Sequence, residues 1–133
     1  MNPSKVKSPS RKELASLITH IGGAARLSII ILEFYERMSQ DLMIGFFFSN
    51  KDLSLIASHQ ANFILNAAGL IPQFEGKGPT SAHLALPPIL SGHFDRRLVI
   101  LRETLVAVGL TQEQISKWVQ FEESFRAIVV SNE

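Results

Sequence analysis

The chain has 133 residues, 46% hydrophobic and 19% charged, which suits one domain with a sizeable core and argues against disorder. Thirteen basic against twelve acidic residues leave a formal net charge of +1, so no long-range field favours nucleic acid. The absence of cysteine excludes disulfides, iron–sulfur clusters and thiolate zinc sites, and fits a cytoplasmic protein.

Nine phenylalanines stand against a single tyrosine and a single tryptophan, an aromatic set with few polar handles. Such a set builds a core or lines an apolar cavity. Residues 1–9 are polar and are expected to form a flexible N-terminal segment, followed by a single domain over residues 10–133. No secretory apolar region follows the first lysines, and the run Leu27 to Leu32 is far too short to span a membrane.

Helix signals dominate. Ser10 with Glu13 forms a capping-box pattern, opening a helix that should run to about His20 and stop at Gly22-Gly23. The second helix, about 24 to 39, sets Leu27, Ile30, Ile31, Phe34, Tyr35 and Met38 at spacings of three and four. Ile29-Ile30-Ile31 is also compatible with a strand, but Glu33, Glu36 and Arg37 fall where a helix needs solvent-facing groups.

Phe46-Phe47-Phe48 leads into Ser49-Asn50-Lys51-Asp52, a set suited to N-capping. A third helix, about 52 to 68, then carries Leu53, Ile56, Gln60, Phe63, Ile64 and Ala67 on one face. Residues 70 to 80 hold Pro72, Gly76, Gly78 and Pro79, an irregular connection with a short helical turn expected over 79–85. The fourth helix, about 91 to 108, is expected to have Ser91 as its cap and Phe94, Leu98, Leu101, Leu105 and Val108 as its stripe. Thr111 with Gln114 opens the last helix, with Ile115, Trp118, Phe121, Phe125 and Ile128 inward.

Three side chains carry candidate chemistry. Tyr35 lies on an apolar stripe, where an unpaired hydroxyl costs roughly 1–3 kcal/mol; it bonds either a backbone carbonyl or a ligand. Gln60 shares a face with Ile56, Phe63 and Ile64, so its amide points inward and needs partners, either on another helix or on a ligand. His83 is flanked by Leu84, Leu86, Pro87 and Pro88, an apolar and stiff segment that would hold a neutral imidazole in the fixed orientation axial ligation requires. Arg96-Arg97 reads as a solvated face, although either arginine is within reach of a propionate, and Trp118 reads as core. His20 reads as a helix-end residue, His93 as a packing or surface residue.

The order Ile21-Gly22-Gly23, Phe34-Tyr35-Glu36-Arg37, Asp41, Phe47-Phe48, His59-Gln60-Ala61-Asn62-Phe63, Gly69, Phe74-Glu75-Gly76, Ala82-His83 and His93-Phe94 resembles the truncated haemoglobins. These are short two-over-two globins of bacteria, protists and plants. The resemblance covers most of the chain and implies an all-α, globin-like two-over-two helical sandwich. It implies haem b (iron protoporphyrin IX) held through His83 as the proximal metal ligand, with Tyr35 and Gln60 as distal residues bonding dioxygen, nitric oxide or carbon monoxide.

Phe34, Phe47, Phe48, Phe63, Phe94 and Leu98 would then pack on the porphyrin, and Ile56 would close the site where other globins place a histidine. His59 reads either as a contact to a haem propionate or as a solvated side chain. Nitric oxide dioxygenation is also implied, with a separate reductase restoring ferrous iron; no membrane or nucleic-acid partner is.

The pattern departs from the family in two places. Gly69-Leu70 stands where a glycine pair is usual, and the segment from His83 to Pro88 resembles the third subgroup while Tyr35, Ile56 and Gln60 resemble the first. A haem-free helical interaction or regulatory module on the same scaffold is the alternative reading.

Overall fold

The computed structural model describes residues 7–72 and 87–131, and all regular structure among them is helical. Helix α1 spans Arg11–Ile21, α2 Gly23–Ser39, α3 Leu53–Ala67, α4 Ser91–Ala107, α5 Gln112–Glu123 and the short α6 Arg126–Val129, with a 3-10 turn at Gly45–Phe48. The expected turn at 79–85 and His83 itself lie outside the described residues.

Caps set the helix starts where the sequence places them. Ser10 Oγ accepts from the Glu13 amide at 3.1 Å, while Glu13 accepts from the Ser10 amide at 3.0 Å. Thr111 and Gln114 repeat the exchange at 3.1 and 2.9 Å. Asp52 Oδ1 takes the Leu55 amide at 3.1 Å, ending the polar run that precedes α3.

Between α1 and α2 the chain turns through 86° at Gly22, whose φ of +120° excludes side-chain-bearing residues. No single helix among the described residues is long and apolar enough to cross a membrane. The bent pair α1 and α2 passes that test only by combined length and composition, and its apolar residues Leu14, Leu17, Ile18, Leu27, Ile30 and Ile31 are buried in the core.

Helix α2 is the hub. It packs on α3, α4 and α1, while α4 packs on α5 and α1 touches α3 and α5. The result is one layer of α2 with α3 and another of α4 with α5. Leu27, Ile30, Phe34 and Met38 of α2 and Leu101 and Leu105 of α4 are fully buried in the common core.

Three expectations are corrected, and one buried charge is added. The deepest face of α3 is Ala57, Ala61, Ile64, Leu65 and Ala68, while Ile56, Gln60, Phe63 and Ala67 are half-buried. Ile64 of the expected stripe is buried, and Ile56, Phe63 and Ala67 pack half-buried against the core. The N-cap of α4 is Leu90 rather than Ser91: the Leu90 amide donates to His93 Nδ1 at 2.9 Å. The last helix breaks at Ser124-Phe125, leaving Ile128 exposed rather than inward. Glu122, which no apolar stripe predicts, is buried.

Candidate functional site

Tyr35 is 6% exposed, on the face of α2 turned toward α4 and the 3-10 turn. Its ring lies tilted against Phe34 at 5.5 Å between centroids and edge-on to Phe48 at 5.7 Å. Phe34 and Phe47 are buried and Phe48 is half-buried. The 3-10 turn holds the last two in place because Gly45 sits against the end of α2, where an added Cβ would lie 2.7 Å from the Ser39 carbonyl oxygen.

The fourth helix adds a cation to this apolar cluster. Arg97 Cζ stands 4.9 Å from the Phe34 ring centroid and 5.6 Å from that of Tyr35. Its Nε and Nη2 donate to Glu122 Oε2 at 3.2 and 3.1 Å, and the two side chains are only 19% and 7% exposed. The other carboxylate oxygen of Glu122 accepts from Gln60 Nε2 at 3.4 Å. One carboxylate thus joins α3, α4 and α5. Burial works against the charge on Arg97, but Glu122 and then Tyr35 outweigh it and raise its pKa above the usual value. Arg97 is a permanent cation.

This corrects the reading of Arg96-Arg97 as a solvated face. Arg97 follows Phe94 by three positions and precedes Leu101 by four, which turns it inward. Glu122 follows Trp118 by four on the inward side of α5. Those two spacings are the signal that sequence reasoning passed over, because charges were assigned to solvent. Arg96 does pair, but with Asp41: its Nη2 and Nε donate to Asp41 Oδ1 at 2.7 and 3.0 Å. Asp41 Oδ2 also takes the Met43 and Ile44 amides at 3.0 and 3.1 Å. The Arg96 bond, aided by those amides, holds the Asp41 carboxyl below the usual carboxylate range.

The other predicted residues distribute around this centre. Ile56, Phe63 and Leu98 are half-buried against the core, with Phe63 5.4 Å from Phe125 between ring centroids. Phe94 is buried on α4 beneath the Arg126 guanidinium, 4.7 Å from its Cζ. His59 is exposed, one position from Gln60. His93 packs edge-on to Phe47 at 5.2 Å, its Nδ1 occupied by the α4 cap. The structure therefore gathers Tyr35 and Gln60 around a shared ion pair, within an apolar surround.

Residues 16–131 match the model of the bacterial-like globins. The chain belongs to that family, the truncated haemoglobins. This globin is 30% identical over 107 residues to the Group 1 truncated haemoglobin of Synechocystis, across 78% of this chain and 86% of that one. It is also 30% identical over 109 residues to a Group 1 truncated haemoglobin of Chlamydomonas moewusii, covering 81% of its own length but 64% of that relative's.

Among solved structures it resembles the 2/2 haemoglobin of Synechococcus, determined with covalently attached haem. That likeness has a TM-score of 0.72 at 25% identity, over 85% of this chain and 97% of the other. The globin shares its fold with the truncated haemoglobin of Tetrahymena pyriformis, at a TM-score of 0.78 and 23% identity over 87% and 98% of the two chains.

Proposed function

We propose that this globin binds haem b and takes a diatomic gas on the side that Tyr35 and Gln60 face, with His83 as the proximal ligand. One observation carries the reading: the chain's only phenol is buried in an apolar cluster, beside the Arg97–Glu122 pair to which Gln60 also bonds. Family membership and relatives named as haemoglobins support it. The residues fit the group in their chemistry. A flat apolar macrocycle asks for walls such as Phe47, Phe48, Ile56, Phe63 and Leu98, with Phe34 and Phe94 behind them, and a polar gas asks for a donor.

Haem, when bound, would supply the iron at which a gas is held. The protein does the rest. Apolar walls exclude water, which strengthens any hydrogen bond made inside them. Tyr35 offers its O–H to a ligand that has gained negative charge, and such charge-assisted bonds are worth roughly 1.5–3 kcal/mol. Gln60, whose Nε2 also donates to Glu122, is the second donor we assign, and the exposed His59 is the side chain we assign to a haem propionate. Dioxygen, nitric oxide and carbon monoxide are the ligands we assign. Nitric oxide detoxification with an external reductase, in the cytoplasm, is the role we assign to the site.

Haemin titration of the purified protein tests the assignment. A Soret band should appear at one equivalent, and His83→Ala should lose normal haem retention. An unchanged absorption spectrum in that variant reassigns the proximal ligand. No Soret band in the unaltered chain leaves the haem-free helical module as the reading.

A further inference from the structure

Helix α4 buries one side and shows the other to solvent. Phe94, Ile100, Leu101, Thr104 and Leu105 are buried, whereas Gly92, Asp95, Val99, Arg102, Glu103 and Val106 are exposed. Gly92, Val99 and Val106 recur every seven residues, two turns of helix, and so share one line along the outer side. The two valines on that line are 44% and 59% exposed. Arg96 and Glu103, again seven apart, flank the line on one edge, and Asp95 and Arg102 flank it on the other. Each edge thus carries one cation and one anion.

These charges are only partly used within the chain. Arg96 gives Nε and Nη2 to Asp41, and Asp95 receives Arg126 through Oδ1. Arg102 and Glu103 make no hydrogen bond or ion pair among the described residues. At the start of α4, a Cβ added to Gly92 would lie 3.5 Å from Met43 Cε, and Met43 is itself 47% exposed. A hollow floored by Gly92 and walled by Met43 therefore stands at one end of the line, and the Val106 side chain projects at the other.

We propose that this face binds a second copy of the chain, with α4 lying antiparallel on α4 about a twofold axis at Val99. Such an axis sets each edge against the same edge of the copy. Arg96 then meets the partner's Glu103 and Asp95 the partner's Arg102, each pair offset by one residue, ~1.5 Å along the helix. Val99 packs on its own copy, and Val106 enters the hollow at the partner's Gly92. A parallel pair would also match the charges. It would set Gly92 on Gly92 and Val106 on Val106, however, leaving one end gapped and the other crowded, with the helix dipoles aligned unfavourably. Exposed charge pairs add little affinity each; here they fix the register. One helix pair is a small interface, so the dimer exchanges with monomer. None of the facing residues is assigned to the gas site, so association and haem uptake are separable.

Sedimentation equilibrium of the full chain from about 1 µM to about 1 mM should show a monomer–dimer equilibrium that weakens with added salt. Val99→Asp sets two carboxylates together on the axis and should leave a monomer. Arg102→Glu turns two attractions per dimer into repulsions and should weaken association about ten-fold or more. Because the chain has no cysteine, disulfide trapping reads the orientation. Val99→Cys should cross-link under mild oxidation. Val106→Cys alone should not, since its two copies stand ~21 Å apart along the helices, whereas the double variant Gly92→Cys, Val106→Cys should. All these positions face solvent, and unchanged circular dichroism identifies the folded variants. A monomer at every concentration, which would leave the face to some other partner, overturns the proposal. So does association unaltered by Val99→Asp and Arg102→Glu, or a cross-link through Val106→Cys alone.

Discussion

The Arg97 guanidinium carbon lies 5.6 Å from the centroid of the Tyr35 ring. A hydroxyl on a buried apolar stripe thus shares its surroundings with a permanent cation, and what Tyr35 does cannot be separated from what Arg97 holds.

Tyr35→Phe removes the proposed donor with little change in shape. Dioxygen release should quicken roughly 10- to 100-fold, the equivalent of one charge-assisted hydrogen bond. Carbon monoxide, less polarised when bound, should respond less. Stopped-flow displacement measures both, and equal effects on the two gases would take Tyr35 out of this role.

Gly45→Ala tests how the 3-10 turn is seated. Its new methyl would stand 2.7 Å from the Ser39 carbonyl oxygen and 3.2 Å from the carbonyl carbon, both backbone atoms that cannot rotate away. Overpacking of this kind costs roughly 1–3 kcal/mol. The urea midpoint should fall accordingly. An unchanged midpoint would mean that the turn moves freely, and that Phe47 and Phe48 are not held by it.

Arg126 ties the end of the chain to α4. Its Nη2 meets Asp95 at 2.6 Å, its Nη1 reaches Ser91 at 3.2 Å, and its Nε pairs with Glu123 at 2.9 Å. These groups are partly exposed, so Arg126→Met should cost only about 1 kcal/mol, most of it from the contact with Phe94. Faster hydrogen exchange is expected at the Val129, Val130 and Ser131 amides. The last of these donates to the Ile89 carbonyl at 2.8 Å in the native chain. Unaltered protection there would show that α6 is anchored without Arg126.

Acid should destabilise the protein through two carboxylates. The Lys117 hydrogen bond, followed by the Ser10 amide, lowers Glu13 from 4.5 to about 2. Arg96 chiefly lowers Asp41 from 3.8. Both folded-state values lie below the unfolded ones, so the unfolded chain binds more protons in this interval. Their contribution is complete above the unfolded values and is lost as the pH falls through the folded ones. Urea midpoints taken from about pH 5 to about pH 2 should drop steeply in the native chain. The drop should be shallower in the double variant Glu13→Gln, Asp41→Asn; parallel slopes would assign the acid sensitivity to other groups.

Local chemistry was legible from the sequence, and partnership across the fold was not. Ser10 with Glu13, Asp52 and Thr111 with Gln114 cap where their side chains dictate, because a cap is settled within four residues. The stripe of α2 was read correctly, since Leu27, Ile30, Ile31, Phe34, Tyr35 and Met38 are all buried. The face of α3 is legible only in part: Ile64 is buried and Ile56, Phe63 and Ala67 pack on the core, but Ala57, Ala61 and Ala68 lie deeper because alanine gives a weak hydrophobic signal. Arg97 and Glu122 stayed hidden for a different reason. A charge is tolerated inside only when its counter-charge arrives from another helix, here 25 residues away, and Gln60 finds its acceptor 62 residues along the chain. His83, the candidate proximal ligand, lies outside the described residues.

The corner at Gly22 throws α1 across the far end of the bundle. There Leu14, Leu17 and Ile18 close a small void against Trp118 and Phe121, while outside it Lys117 grips Glu13 at 2.8 Å. Glu122 is the very next residue. The first helix therefore braces the stretch of α5 that carries the buried carboxylate, so trimming Leu17 or cutting the Lys117–Glu13 tether should loosen α5 next to Glu122.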